Sequence, residues 1–281
     1  MSNNHNSEAT IRNYGKWLKV LSENTDLSNP EAVKKWLAQH NVSNGTKHNI
    51  ACAYAKYAEY YEIEWTKPTY SQPAKSIRIP TREKLQKLIA SAGKVLSVKL
   101  QISMETGLRP VELCNLKVKD VDLEQRIIYP TTAKYGASRQ LRISPSLATR
   151  IGTHINRQHL TADNKLFNGD SADYGKHYRN HRNQLAEKIQ DASLKTIRLS
   201  DFRHYFASNL YDKTKDILLV KQQMGHKRLD TTLIYTQLLN LNEDEWTCRT
   251  ANTVEQAAKL IETGFQYVTE IDGIKLFRKR K

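Results

Sequence analysis

The chain has 281 residues, and its 44 lysines and arginines against 29 aspartates and glutamates give a formal net charge of +15 at pH 7. This basic charge predicts nucleic acid as the partner rather than a membrane, because no apolar run is long enough for a spanning helix and the polar N-terminus has no signal core. The three cysteines are too few and too scattered for a disulfide framework or a zinc cluster, so we expect a reduced, intracellular protein.

The first part of the chain predicts a small all-helical domain. An apolar face at helical spacing is formed by Ile11, Tyr14, Trp17, Leu18 and Leu21. Asn29, Pro30 and Glu31 have the order of an N-cap, a first helical residue and a first-turn acid. A third helix is predicted around residues 53–61. Residues 67–80 contain three prolines and no periodicity, as in a linker, so we place the domains at 1–75 and 76–281.

The second domain is predicted to be mainly α-helical with a small antiparallel β-sheet. Helices are expected from Thr81, before Gly107, over residues 147–155 and over residues 176–189. Residues 126–129 and 139–144 alternate as strands do, which places Lys134 on or beside a hairpin turn.

The segment from residue 198 to residue 237 predicts three helices with basic and nucleophilic side chains between them. Ser200 is a plausible N-cap for a helix whose first turn carries Arg203. A second helix is expected to stop at Gly225, where glycine tolerates a positive φ, so that His226 follows at its exposed end. Asp230 is a plausible N-cap of a third, short helix. In that helix Leu233 and Ile234 are expected to face the core, which leaves Tyr235 free to point elsewhere.

The last part of the chain predicts a helix followed by a hairpin. Thr253 begins a capping-box pattern, and Gly264 is a stop signal after Ile261. Two apolar runs, residues 265–271 and 274–277, flank an Asp-Gly turn at 272–273.

His177 and His181 have a spacing that a zinc site on a helix could use, but no further ligand cluster accompanies them. With the basic residues around them they are better interpreted as a solvated or DNA-facing stripe. We therefore expect no metal site and no cofactor.

Four motifs resemble those of the tyrosine recombinases, the site-specific integrases. Thr-Gly-Leu-Arg-Pro-Val-Glu-Leu at 106–113 is similar to the first arginine box of that family. Residues 132–143 resemble the hairpin that carries its lysine. Arg-Leu-Ser-Asp-Phe-Arg-His-Tyr-Phe-Ala-Ser at 198–208, and the run from Gln-Met-Gly-His at 223 to the Tyr-Thr-Gln ending at 237, resemble its second conserved box. The motifs occur in the order of the family, and nine positions separate His226 from Tyr235, as the family has it.

The resemblance implies a role for each motif residue. Tyr235 would be the nucleophile, forming a covalent 3′-phosphotyrosyl bond without metal or ATP. Arg109 and Arg203 would neutralise the phosphate. Arg109 directly precedes Pro110, which predicts that Arg109 is a helix N-cap. His226 would donate a hydrogen bond to the phosphate, and Lys134 would protonate the leaving 5′ oxygen.

Three further residues have supporting or open assignments. Glu112, three residues after Arg109, can orient it or neutralise a neighbour. Ser200 occupies a position where the family most often has histidine, and a hydroxyl is a poor proton acceptor. The tyrosine proton is therefore left to His226, His204 or water, with His204 otherwise a packing or supporting residue.

The resemblance implies a DNA recombinase with an N-terminal core-binding domain and a C-terminal catalytic domain. Its expected partner is a double-stranded DNA attachment site, bound by a homo-oligomer, a tetramer on two sites, in the cytoplasm and nucleoid. The C-terminal tail could dock on a neighbouring protomer or on its own domain. Two alternatives remain at this point: a non-catalytic helix-turn-helix-like DNA-binding regulator, because a turn at Gly225 joins two helices, and a type IB topoisomerase-like relaxing enzyme.

Overall fold

The computed structural model describes residues 8–71, 78–131, 138–236, 246–271 and 273–280. The chain separates into two compact units, one within residues 1–76 and one within residues 77–281. Within the described residues, no helix is both long enough and apolar enough to cross a membrane.

The N-terminal unit is built from helices. They are α1 (Glu8–Asn24), α2 (Pro30–Gln39) and α3 (Asn44–Tyr60). The predicted start of α2 is confirmed, since the Asn29 side chain accepts hydrogen bonds from the amides of Glu31 and Ala32, each at 3.1 Å. Leu21, Leu37 and Tyr54 are fully buried between the helices.

The second unit is mainly helical, as predicted. Its helices are α4 (Arg82–Ala90), α5 (Lys94–Thr106), α6 (Pro110–Asn115), α7 (Pro145–Arg157), α8 (Ser171–Lys188), α9 (Leu199–Thr214), α10 (Ile217–Met224), α11 (Asp230–Leu233) and α12 (Val254–Glu262). Its main hydrophobic core surrounds α5 and includes Leu100, Leu113, Phe167 and Phe202. A smaller cluster joins α9, α10 and the turn after α11.

Two small antiparallel sheets accompany these helices. Their strands are β1 (Val121–Asp122), β2 (Ile127–Ile128), β3 (Leu141–Arg142), β4 (Trp246–Ala251), β5 (Gln266–Ile271) and β6 (Ile274–Arg280). The first sheet has the order β1-β2-β3 and the second the order β4-β6-β5. The tail helix and hairpin were predicted correctly, with Thr253 capping α12. The sequence did not predict β1 or β4.

Two helix starts differ from the prediction. The N-cap of α9 is Arg198 rather than Ser200, because the Asp201 carboxylate reaches back and accepts from the Arg198 amide at 2.8 Å. Ser200 is thus an exposed residue of the first turn. Similarly, Leu229 precedes α11, and Asp230 is its first helical residue rather than its cap.

Candidate active site

The buried carboxylate of Glu112, in the first turn of α6, contacts two arginines. Arg109 is the N-cap residue before Pro110, as predicted, and its amide donates to Glu112 Oε2 at 2.9 Å. The Arg109 guanidinium contacts Glu112 Oε1 at 2.9 Å, and Arg139 Nη2 contacts Glu112 Oε2 at 2.7 Å. Glu112 is only 1% exposed. Burial alone would raise the pKa of Glu112, but the hydrogen bonds and charges of Arg139 and Arg109 outweigh it and leave that pKa lowered.

Arg139, which the sequence analysis did not single out, lies beneath the end of α10. Its side chain is fully buried, and its Nε and Nη1 have no hydrogen-bond partner among the described residues. Gly225 ends α10 with φ +62°, which confirms the predicted stop. A Cβ atom at Gly225 would lie 2.6 Å from Arg139 Nη1. Glycine is therefore required there both for the backbone conformation and for the close approach of this arginine.

Arg203 is held by the carbonyl groups at two helix ends. Its Nη1 donates to the carbonyl oxygen of Gly107, the C-cap of α5, and its Nη2 donates to that of Met224, the last residue of α10, at 2.6 Å. Carbonyl groups at helix C-termini have no partner within the helix, so they are suited to a cation. Burial and the neighbouring charge of Arg109 lower the pKa of Arg203 to about 10, which leaves the guanidinium charged at neutral pH.

His226 connects Arg203 to the helix that precedes Tyr235. Its Nε2 lies 3.0 Å from Arg203 Nη2, and its Nδ1 lies 3.0 Å from the hydroxyl of Thr232 on α11. Burial, followed by the charges of Arg203, Arg109 and Arg139, lowers the pKa of His226 to about 4. The imidazole is therefore neutral near pH 7.

The low pKa of His226 predicts a pH dependence of stability. An unfolded histidine titrates near 6.5, so the unfolded chain takes up a proton first as the pH falls. The contribution of His226 to the free energy of unfolding is thus complete above about pH 6.5 and is lost as the pH falls towards about 4. We expect urea midpoints to fall across this window, and His226→Gln to reduce that slope.

His177→Gln is the comparison variant, because it removes an exposed imidazole on α8 and leaves the contacts of His226 in place, so we expect the larger change of slope for His226→Gln. Part of the slope should remain in both variants, since burial also lowers the pKa of His204. A His226→Gln protein with the wild-type slope would contradict the assignment.

Tyr235 is buried and its neighbours Leu233 and Ile234 are exposed, which is the reverse of the prediction. It is 2% exposed, and Leu233 and Ile234 are 42% and 37% exposed, so the predicted facing of α11 was wrong. A helix of only four residues is too short to have a period that identifies its buried side. The ring packs with Ala207, Val220 and other apolar residues of α9 and α10.

The phenol of Tyr235 contacts a histidine on α9. Tyr235 Oη lies 3.0 Å from His204 Nδ1. Burial raises the pKa of Tyr235 to about 12 in spite of the nearby charges of Arg203 and Arg109. Burial lowers the pKa of His204, so this ring is neutral at pH 7 and its Nδ1 can accept the phenolic proton.

The other predicted residues lie apart from this cluster or outside the described chain. Lys134 falls outside the described residues. The Ser200 hydroxyl lies 3.4 Å from Asp201 Oδ1. His181 Nε2 lies 3.0 Å from the carbonyl oxygen of Leu88, and the described residues contain no group of three or more side chains that could hold a metal.

Thr232 and Arg139 are the two site residues that the sequence analysis missed. Arg139 lies within the quoted lysine motif, five residues after Lys134, which was the available signal. Thr232 had no signal, because a threonine in a polar run is typical of any helix start.

Comparisons with known proteins agree on one family. The profile described as "Phage integrase family" matches residues 80–241, more than half of the chain. The chain is 24% identical to tyrosine recombinase XerA of Pyrococcus horikoshii over 273 residues, which cover 92% of this chain and 90% of that protein. It is 27% identical to tyrosine recombinase XerA of Pyrococcus furiosus over 249 residues, which cover 83% and 84%.

Solved structures show the same fold. The Tn1549 transposon integrase in complex with transposon right end DNA gives a TM-score of 0.67 at 16% identity, with 93% of this chain and 95% of that chain covered. A lambda integrase dimer bound to a COC′ core site gives a TM-score of 0.64 at 14% identity, with 88% and 93% covered. The chain therefore belongs to the phage integrase family of tyrosine recombinases, which confirms the family that its motifs predicted.

Proposed function

We propose that this chain is a site-specific DNA recombinase in which Tyr235 attacks the phosphodiester backbone. The carrying observation is the contact of Tyr235 Oη with His204 Nδ1 at 3.0 Å beside the charges of Arg203 and Arg109. In the reaction Oη bonds to phosphorus, the bond from phosphorus to the 5′ oxygen breaks, and a 3′-phosphotyrosine remains. The covalent bond conserves the energy of the broken one, so rejoining requires no ATP.

The two arginines stabilise the charge that develops on the phosphate. Glu112 fixes Arg109, and the carbonyl oxygens of Gly107 and Met224 fix Arg203, so neither guanidinium has to reorganise much in the transition state. Removing one such preorganised donor typically costs roughly 3 kcal/mol of transition-state stabilisation.

His204 is the proton acceptor that we propose for Tyr235. It is neutral, it contacts the phenol directly, and its low pKa disfavours holding the proton once the phosphotyrosine has formed. Ser200 is exposed on the first turn of α9 and contacts a carboxylate instead. Lys134 is the proposed donor of the proton to the leaving 5′ oxygen, because an ammonium can act as an acid and arginine cannot.

The reaction requires Tyr235 to become accessible to DNA. At 2% exposure its ring is sheltered by the cluster of α9 and α10, so cleavage needs a conformation in which α11 shifts enough to expose the phenol while Oη keeps its contact with His204. A short helix is suited to such a change, since few hydrogen bonds hold it.

The proposed partner is double-stranded DNA, bound by both units. The net charge of +15 fits a polyanion, and two linked units bind one duplex more tightly than either alone because the second contact occurs at high effective concentration. Exchange between two duplexes breaks both strands of each, and each break needs one Tyr235. We therefore propose that a tetramer assembles on two attachment sites, at cytoplasmic, nucleoid-associated DNA.

The test is a covalent trapping experiment on a pool of nicked duplexes with randomised sequence. Loss of the short fragment beside the nick prevents rejoining, so we expect protein that stays on DNA through denaturant, with the modification mapped to Tyr235. Sequencing the trapped DNA is expected to reveal a common site. Binding without an adduct would instead favour a DNA-binding regulator, and trapping without a common site, together with supercoil relaxation, would favour a topoisomerase-like enzyme.

A further inference from the structure

We propose that Thr232 is a positioning residue that stabilises the Nδ1–H tautomer of His226 and allows that tautomer to change when phosphate binds. The proposal rests on the proposed function, in which His226 donates a hydrogen bond to the phosphate. Thr232 is fully buried on α11, and its hydroxyl lies 3.0 Å from His226 Nδ1. It would act through His226 and not by touching DNA.

The contacts of His226 define which ring nitrogen carries the proton. A guanidinium only donates hydrogen bonds, so His226 Nε2, at 3.0 Å from Arg203 Nη2, accepts one. In a neutral ring the proton is then on Nδ1, and the Thr232 oxygen accepts the hydrogen bond that Nδ1–H donates. In this state His226 has no proton on Nε2, the nitrogen beside Arg203.

Donation to a phosphate requires a proton on Nε2, and full protonation of the ring is unfavourable. The titratable and charged groups that face His226 are Arg203 and His204 on α9, Arg109 before α6 and Arg139 before β3, and each disfavours an imidazolium. A change of tautomer avoids the extra charge. Nδ1 releases its proton to solvent, Nε2 takes one up, and the ring remains neutral.

A threonine hydroxyl is suited to this change because it can accept a hydrogen bond or donate one. It accepts from Nδ1–H while Arg203 contacts Nε2. When a bound phosphate accepts the hydrogen bond that Arg203 Nη2 otherwise donates to Nε2, the hydroxyl rotates and donates to the unprotonated Nδ1, which favours Nε2–H. Valine at position 232 would have nearly the same shape and could do neither.

Thr232 also lies in the turn that ends at the nucleophile. Its carbonyl oxygen accepts the hydrogen bond of the Tyr235 amide at 3.0 Å. The same residue therefore contacts His226 through its side chain and Tyr235 through its backbone. A rotation of α11 that moves Tyr235 would change the hydrogen bond to His226 in the same step.

The test combines ring-nitrogen NMR of the full-length protein with single-turnover cleavage of the nicked duplexes used in the trapping experiment. Wild type and Thr232→Ser are expected to have the Nδ1–H tautomer of His226 in the absence of DNA, and Thr232→Val a mixture. By analogy with other groups that orient a functional histidine, we expect Thr232→Val to slow cleavage by about 10- to 100-fold, and Thr232→Ser to retain most activity. Thr231→Val is the matched control, because Thr231 is exposed on the same helix and its hydroxyl contacts the Arg228 carbonyl.

The outcomes separate this proposal from the proposed function. An Nε2–H tautomer in the DNA-free wild type would overturn the role of Thr232, and that measurement needs no variant and no activity. Cleavage by Thr232→Val at the wild-type rate would overturn it as well. The expected tautomer in a wild-type protein that forms no adduct would support the positioning of His226 and contradict the recombinase chemistry.

Discussion

Replacing Tyr235 by phenylalanine is expected to abolish the denaturant-resistant complex on nicked duplexes while DNA binding stays close to wild type. The change removes only Oη, the atom that would bond to phosphorus, and the ring keeps its place in the apolar cluster. Losing the hydrogen bond to His204 is expected to cost about 1 kcal/mol of folding stability, so the variant should remain folded.

Tyr211→Phe is the matched control for this experiment. Tyr211 packs against the same cluster of apolar residues, and its substitution removes the same phenolic oxygen. We expect Tyr211→Phe to form the adduct at the wild-type level. Adducts on the Tyr235→Phe protein, mapped to another residue, would show that Tyr235 is not the nucleophile.

Replacing Glu112 by glutamine is expected to cause the largest loss of stability. The carboxylate is buried and contacts both Arg109 and Arg139, so a neutral amide would leave the Arg139 guanidinium charged in the protein interior. Breaking a buried pair by removing one partner typically costs about 3 to 5 kcal/mol. Adduct formation should also fall, since Arg109 would lose the group that orients it towards the phosphate.

Glu105→Gln is the comparison for this variant. The Glu105 carboxylate accepts hydrogen bonds from the Ser144 amide and hydroxyl at 2.8 and 3.0 Å, and among the described residues it forms no ion pair with a buried arginine. Its cost should be nearer 1 to 3 kcal/mol, roughly that of a hydrogen bond to a charged group. Removing Arg139 as well, in Glu112→Gln with Arg139→Met, should restore part of the stability, because no charge is then buried alone. Equal urea midpoints for Glu112→Gln and Glu105→Gln would rule out this account.

The geometry also explains why the site tolerates several cations at close range. Glu112 contacts two arginines, and the ends of α5 and α10 direct their carbonyl groups at a third, Arg203. Each guanidinium thereby has an oxygen partner before any phosphate arrives. A bound phosphate would add negative charge to a cluster whose positive charge is only partly compensated, and this favours binding and transition-state stabilisation alike.

The sequence by itself determined the family and the helical fold class, and it pointed to most of the side chains that lie together in the candidate active site. Local signals were sufficient wherever neighbours along the chain decide the structure. Arg109 before Pro110 begins α6, Gly225 ends α10 and Thr253 begins α12, because caps and stops depend on hydrogen bonds within a few residues. The resemblance of the motifs to those of the family then implied which of these side chains would lie together.

Only the tertiary structure decided how those side chains are arranged. Arg139 contacts Glu112, which lies 27 positions earlier in the chain, and β4 pairs with β6 so that Trp246 is the partner of Arg280. No local sequence pattern encodes partners so distant in the chain. The apolar surface of α9 and α10 decided which residue at the end of α11 is buried. Tyr235 packs against that surface, and Leu233 stays exposed. The contact of Tyr235 with His204, on which the proposed proton transfer rests, follows from that packing.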